Sequence, residues 1–477
     1  MRASPYSADG EAIGRRIDAL PMNAAMWGRV LLISLGALFE IYDLFLTAYL
    51  SPGLVKAGIF RPEGSGFWIF SSQALFGAVT FAGLWVGTVA FSAIADRYGR
   101  RPIFAFSLLW YTVATVAMGL QSRAEGVYLW RFIAGVGIGV ELVTIDAYIS
   151  EWVPKSARTR AFAFNAFVQF LGVPLAALLA TLLVPRAPFG IDGWRWVAWV
   201  SATAALAVWI ARRRVPESPR WLAEHGRVKE AEAILAAVAG GLSRGGARGP
   251  HALMEVESGT AGRRNDGGFA GDIEQRVGTT RSTEYSRTIK GRVVMLVIFQ
   301  IFQAIGFYGF GNWLPNLLAR NGASFVHSLS YSFAIALAYP LGPLLCCTFA
   351  DRYEPKRQIV LASLAIAVFG IVFAEQHAAA GLIAFGLLVT FSNCAMSYAF
   401  HAYQTELFPT RIRARAVGFC YSWSRLSTVF SSFLIAFFLD KFGARGVFGF
   451  IAGSMLIVAA VIGVFGPLTR GRRLEEI

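Results

Sequence analysis

The sequence is poor in charge. Asp, Glu, Lys and Arg make up 15% of its 477 residues, against roughly 25% in ordinary soluble domains, and that shortfall argues against a solvent-bathed or disordered chain. Cysteine and histidine are scarce too, with four and five residues. Cys346 and Cys347 are adjacent, and Cys394 and Cys420 lie in separate apolar stretches. That leaves neither a disulfide framework nor metal-ligand spacing, and the four read as small hydrophobes. No metal cluster, nucleophile triad or phosphate loop appears, which argues against an enzyme and against a bound cofactor. Gly135, Gly137 and Gly139 lie inside an apolar run without a preceding strand, so they do not form a nucleotide loop. Small residues four apart, such as Gly135 and Gly139, instead let helices approach closely.

What the chain has is apolar surface: 56% of its residues are hydrophobic, 39 of them Phe, and its mean hydropathy is +0.53. A membrane-spanning helix needs about 20 mostly apolar residues. Twelve stretches qualify: 29–50, 67–94, 102–121, 127–149, 161–184, 195–211, 293–318, 327–349, 358–374, 380–402, 416–439 and 446–466. The lipid bilayer is therefore the expected surrounding. The net charge of +15 would suggest nucleic acid in a soluble protein, but its distribution points elsewhere. Of the 44 Lys and Arg, 33 fall in the tails and alternate loops of one side and 8 on the other. That bias places both termini in the cytoplasm and makes nucleic acid an unsuitable partner. The organisation reads as a tail over 1–25, a six-helix bundle over 26–211, a cytoplasmic linker over 212–292, a second bundle over 293–467 and a tail over 468–477. The linker turns Gly- and Arg-rich between Gly240 and Ser282 and reads there as disordered.

The two bundles are copies. Gly87, Ala95-Asp96-Arg97-Tyr98 and Arg101 recur as Gly342, Ala350-Asp351-Arg352-Tyr353 and Lys356, an offset of 255. Tyr148, Glu151, Pro154 and Arg158 recur as Tyr403, Glu406, Pro409 and Arg413, again at 255. Parallel halves of this kind place a substrate site near the membrane midplane at their interface.

These residues resemble the major facilitator superfamily over nearly the whole chain. The resemblance rests on the duplication, on Asp96-Arg97-Tyr-Gly-Arg100-Arg101 after the second span, and on Arg131-Phe-Ile-Ala-Gly135-Val-Gly137-Ile-Gly139 in the fourth. Pro216-Glu217-Ser218-Pro219-Arg220-Trp221 is similar to a signature of its sugar-porter and organic-acid branch. Phe39-Glu40-Ile41-Tyr42-Asp43 resembles the acidic pair of bacterial metabolite:proton and aromatic-acid:proton symporters. The resemblance implies an all-α membrane protein of twelve helices in two pseudo-symmetric bundles, working by alternating access as a monomer in a bacterial inner membrane. It also implies a cytoplasmic gate built from Asp96, Arg97, Arg101, Glu151 and Arg158, with a second copy at Asp351, Arg352, Glu406 and Arg413. Glu354 and Pro355 replace the Gly-Arg of that second copy, which makes it the weaker latch.

Charges inside spans are costly and mark function or interhelical pairing. Glu40 and Asp43 are about 60° apart on one helix face, with Glu40 roughly 15 Å deep. A carboxyl there is a simple proton carrier. Arg131, Glu141 and Asp146 share the fourth span, with Arg131 and Asp146 about 60° apart in projection and Glu141 facing elsewhere. Glu141 and Asp146 are the next proton-coupling candidates. Arg425 lies inside the eleventh span and is a substrate-binding candidate, supplying an anion-compatible pocket with the span 7 amides. Span 7 carries Gln300, Gln303, Tyr308 and Asn312 around loosening glycines, a pattern similar to the sugar porters' substrate helix, and its amides can bind hydroxyls or a carboxylate. Arg131, Gln169 and Trp423 complete the substrate-binding candidates. The expected function is proton-coupled symport of a small organic acid. A sugar or polyol porter, a drug-efflux antiporter and a non-transporting sensor are the alternatives.

Overall fold

Proline and glycine decide where these helices start, break and bend. The computed structural model describes residues 8–61, 71–98, 100–154, 157–213, 215–243, 274–320, 322, 324–349, 353–408 and 410–469, and contains no strand among them. In chain order its helices are α1 (Ala8–Ala19), α2 (Ala24–Lys56), α3 (Ser72–Tyr98), α4 (Arg100–Gly119), α5 (Ala124–Trp152), α6 (Arg158–Phe170), α7 (Gly172–Leu183) and α8 (Gly193–Arg212). They continue with α9 (Pro219–Glu224), α10 (Val228–Ser243), α11 (Glu274–Arg320), α12 (Phe325–Ala336), α13 (Ala338–Phe349), α14 (Pro355–Ala374), α15 (Ala379–Glu406) and α16 (Thr410–Phe465). The pairs α6/α7 and α12/α13 are single spans broken at Leu171 and Leu337. Pro174 and Pro340 follow those breaks, and a proline ring clashes with the carbonyl four residues back. α16 holds two spans that meet at Gly443, whose φ of +64° and ψ of −161° suit only glycine.

Nine helices among the described residues are long and apolar enough to cross a membrane. With α16 divided at Gly443 and α4 and α5 added, they agree with the twelve expected spans. α2–α8 form the first bundle and α11–α16 the second. They meet where α3 packs on α16, α2 on α11, α7 on α12 and α6 on α13. The duplication is visible in one repeated bond. The Tyr148 hydroxyl donates to the Pro216 carbonyl at 2.5 Å and the Tyr403 hydroxyl to the Pro467 carbonyl at 2.9 Å. Each ties the fourth helix of its half to the chain leaving the sixth.

The first 25 residues, read as a tail, contain α1. Ile13, Ile17 and Leu20 fall on one face of it and are buried against Trp221, Leu222, Leu235 and Val238. Asp18 pairs with Arg220 at 2.8 Å, and Arg16 with Glu232 at 3.2 Å. The Pro-Glu-Ser-Pro-Arg-Trp motif is a helix start: Ser218 caps α9 by accepting from the Trp221 N–H at 3.2 Å, and Pro219 occupies the first turn, where a missing N–H costs nothing. The segment read as disordered over 240–282 lies largely outside the described residues, but α11 begins within it at Glu274.

The small-residue stripe of α5 packs as expected. A Cβ on Gly139 would stand 2.2 Å from the Leu84 carbonyl of α3, and one on Gly135 2.5 Å from that of Thr80. Gly139→Ala must therefore push two backbones apart, at a cost of about 1–3 kcal/mol. Gly449→Ala, where nothing lies within 4 Å, should be neutral or slightly stabilising. Thermal unfolding in detergent checks both, and equal melting points for the two variants would contradict this packing.

Candidate functional site

Arg131 sits on α5 with none of its side chain exposed, so each of its N–H donors needs a partner nearby. α2 supplies most of them. Nη1 donates to Asp43 Oδ2 at 2.9 Å, and Nη2 donates to Thr47 Oγ1 at 2.9 Å and to the Asp43 carbonyl. Nε donates to Thr80 of α3 at 3.0 Å. Thr115 of α4 donates to Asp43 Oδ1 at 3.2 Å. Four helices thus converge on one buried ion pair. Helical projection sets Arg131 about 60° from Asp146 on its own helix. The guanidinium instead reaches sideways to another helix, and the Asp146 side chain lies outside the described residues. Four of the five Arg131 donors are thus engaged inside the first bundle.

Glu141, ten residues further along α5, forms a second buried pair that the sequence did not reveal. Arg212, at the end of α8, donates from Nη1 to Glu141 Oε1 at 2.8 Å. Its Nη2 donates to the Ile33 carbonyl at 3.0 Å and its Nε to the Leu32 carbonyl at 3.3 Å. Gly36 makes the approach possible: a Cβ there would lie 1.1 Å from Arg212 Nη2. Arg212 opens a run of three arginines at the start of the 212–292 linker, whose basic residues count toward the cytoplasmic side, but only 3% of it is exposed.

In the second bundle, Arg425 of α16 is 2% exposed. Its Nη2 donates to the Tyr421 hydroxyl at 3.1 Å and its Nη1 to the Tyr308 hydroxyl of α11, and it lies near the faces of both rings. It makes no ion pair among the described residues. Glu40 of α2, fully buried, lies within its Coulombic reach. Tyr308 meets Phe81 of α3 edge-on at 4.8 Å, and Phe45, Phe170, Phe307 and Tyr339 complete an aromatic cluster between the halves. Beyond that cluster Gln73 of α3 donates to the Asn312 carbonyl at 3.3 Å, closing the halves on the end opposite α1, α9 and α10. Gln303 donates to Gln300 at 3.2 Å, so the two amides form one polar patch on α11. Gln169 is half-buried on α6. Trp423 packs edge-on against Phe419, about 200° around α16 from Arg425, and so turns away from it.

Of the expected gate residues, Arg158 donates to the Ser150 carbonyl at 3.0 Å. Burial and the neighbouring Arg220 push its guanidinium below its usual value, while Asp18 of α1 opposes them. Glu151 and Glu406 are half-buried. The side chains of Asp96, Arg97, Arg101, Asp351, Arg352 and Arg413 lie outside the described residues.

The model of the family described as "Sugar (and other) transporter" matches residues 30–477. The chain belongs to this family. It is therefore a multi-pass membrane transporter of the major facilitator type. It is 26% identical over 460 residues to a putative metabolite transport protein of Bacillus subtilis, with 96% of each chain covered. It is also 26% identical to the niacin transporter NiaP of Acinetobacter baylyi, covering 97% of this chain and 98% of that one. The xylose transporter XylE of E. coli, in a partially occluded inward-open conformation, shares the fold with a TM-score of 0.71 at 21% identity, covering 94% of this chain and all of the other.

The transporter's central pair carries a stability consequence. Removing one partner of a buried ion pair leaves an uncompensated charge and costs about 3–5 kcal/mol, whereas replacing both by apolar groups is often neutral. Arg131→Met should therefore lower the melting temperature sharply, and Asp43→Leu/Arg131→Met should recover much of the loss. A double-mutant cycle on thermal unfolding in detergent measures this, and simple additivity would show that the pair is not coupled.

Proposed function

We propose that this transporter is a proton-coupled symporter of a small organic anion, with Arg425 as the solute's counter-charge and Asp43 and Glu40 as the proton site. The observation that carries the reading is Arg425 itself: a buried guanidinium between the halves, held by two tyrosine hydroxyls and no ion pair among the described residues. Arginine's planar fork suits bidentate binding of a carboxylate, and the aromatic cluster beside it suits a flat apolar body. A relative is named for niacin, a small aromatic acid. Glu40 couples the two ligands. A solute carboxylate and the Glu40 carboxylate would compete for one guanidinium, so the solute binds best together with a proton on Glu40.

Arg425→Lys should keep the charge and lose most affinity for carboxylates. Arg425→Gln should lose their binding, by about 2–5 kcal/mol, the usual loss on truncating a buried charge pair. Asp43→Asn or Glu40→Gln should abolish accumulation under a pH gradient, and at least one of them should still exchange solute. Titration calorimetry against carboxylates and matched neutral analogues, with uptake into proteoliposomes, reads both. Unchanged acid affinity in Arg425→Gln would favour the second reading, a sugar or polyol porter, which draws on the Gln300–Gln303 patch and on the structural neighbour named for xylose.

The same reading has both termini and residues 212–292 in the cytoplasm of a bacterial inner membrane, supported by 33 of 44 basic residues on that side. Cysteines introduced near Arg248 and Arg61 should label from inside and outside respectively. Labelling of the first from outside intact cells would overturn it.

A further inference from the structure

The two buried ion pairs of the first bundle are joined through α4. Thr115, bonded to Asp43, and Tyr111 are four residues apart and so share one face of that helix. Helical side chains lean toward the N-terminus of their helix, which carries the Tyr111 ring away from Asp43 and toward Glu141. Tyr111 is 2% exposed and lies within Coulombic reach of Glu141, Arg212, Asp43 and Glu40. Its hydroxyl and Glu141 Oε2 are both buried, and Glu141 is the acid that interacts most strongly with it. Two cavities flank this junction. One, of about 10 Å³, is lined by Asp43, Tyr111, Thr112, Thr115 and Ser201 among others. That is room for about one water, with polar partners enough to hold it. The other is a recess of about 230 Å³ at the end of the bundle that carries α1 and α9, lined by Pro102, Ala105, Tyr148, Trp209, Arg212 and Arg213 among others.

We propose that the proton bound at Asp43 leaves through the first bundle itself, by way of the small cavity, Tyr111 and Glu141 to the recess beside Arg212, and not through the cleft between the halves that admits the solute. The path rests on Asp43 as the proton site. Each step moves one proton. The Asp43 carboxyl gives its proton to a water in the cavity. Tyr111 takes one from that water and passes its own hydroxyl proton to the Glu141 carboxylate, ending unchanged. Glu141, which does not itself line the recess, then releases its proton past Arg212, which does, to water there and restores its charge pair with that residue. The groups facing the path are Arg131 and Thr115 at Asp43, with Tyr42 on the same helix. At Glu141 they are Arg212 from α8, the Leu32 and Ile33 carbonyls of α2 beside that guanidinium, and Tyr111 itself. A separate proton path lets the proton leave while the solute still occupies the cleft.

Tyr111→Phe removes only the relaying oxygen. In proteoliposomes it should slow proton-driven accumulation roughly 10²-fold, the low end of what a positioned proton-transfer group contributes, while equilibrium exchange of solute continues. Ala105→Cys, at the lining of the recess, should show the same separation once a bulky thiol reagent is attached; the described native cysteines are buried. Unchanged accumulation in Tyr111→Phe and in the modified Ala105→Cys protein would mean that the proton uses the central cleft. A fall of accumulation and exchange in equal proportion would make Tyr111 a packing residue. Either result overturns the path. Asp43→Asn is measured alongside. If it loses accumulation while both other variants keep theirs, the proton site stands and the path alone falls. If it accumulates normally, the proton site fails and the path with it.

Discussion

Arg131 has to be neutralised inside an apolar bundle, and much of the first half follows from how that is done. A buried guanidinium without partners is not tolerated, so α2 and α3 are drawn to α5 by side chains that accept from it, Asp43 and Thr47 from the first and Thr80 from the second, and α4 joins them through Thr115, which donates to Asp43. The glycines of α3 and α5 serve the same end. Gly83 and Gly87 meet the Phe132 and Val136 carbonyls, and Gly135 and Gly139 meet those of Thr80 and Leu84, which brings the helices close enough for Thr80 to reach Arg131. Packing and charge thus set one geometry together. Gly36 makes the corresponding concession for Arg212, clearing a place beside two helix carbonyls.

Duplication produced two bundles that keep the same closing bond, from Tyr148 to Pro216 and from Tyr403 to Pro467, but their interiors differ. Among the described residues the first half holds both buried acid–base pairs, Asp43–Arg131 and Glu141–Arg212. The second holds Arg425 among tyrosines. A charge already paired within one bundle can move with that bundle as a rigid body. A charge held only by neutral hydroxyls at the interface remains available to a ligand. In the proposed symport this asymmetry would divide the work, with the proton taken by the first half and the solute at the boundary.

The helices, the duplication and the buried acids were legible because lipid leaves little freedom. Every span must be apolar, so Glu40, Asp43, Arg131, Glu141 and Arg425 stand out of their surroundings. Pairings were less legible. Projection along α5 compares residues of one helix only, and Arg131 takes its partner from α2. Arg212 was hidden by its setting, since the last residue of a span that opens a run of three arginines looks like an orienting loop charge. Tyr111 carried no signal in a chain with 15 tyrosines and 39 phenylalanines. The helix at Ala8–Ala19 did carry one, the i, i+4, i+7 spacing of Ile13, Ile17 and Leu20, but its neighbouring charges made the segment read as a tail.

The placement of Glu40 bears on how tightly two ligands can be linked. It shares a helix with Asp43 and, across the interface, a Coulombic field with Arg425. Linkage requires that whatever factor the proton adds to solute affinity, the solute adds to proton affinity. A carboxylate beside Arg425 interacts with that field as a charge and so can exert a large mutual effect. A neutral hydroxyl-bearing solute in the same place would change the field only through dipoles and would couple weakly through it. A sugar porter using these residues would therefore need another link between solute and proton, such as closure of the halves around the Gln300–Gln303 patch. For an anion, the proposed pairing of Glu40 and Arg425 would itself be that link.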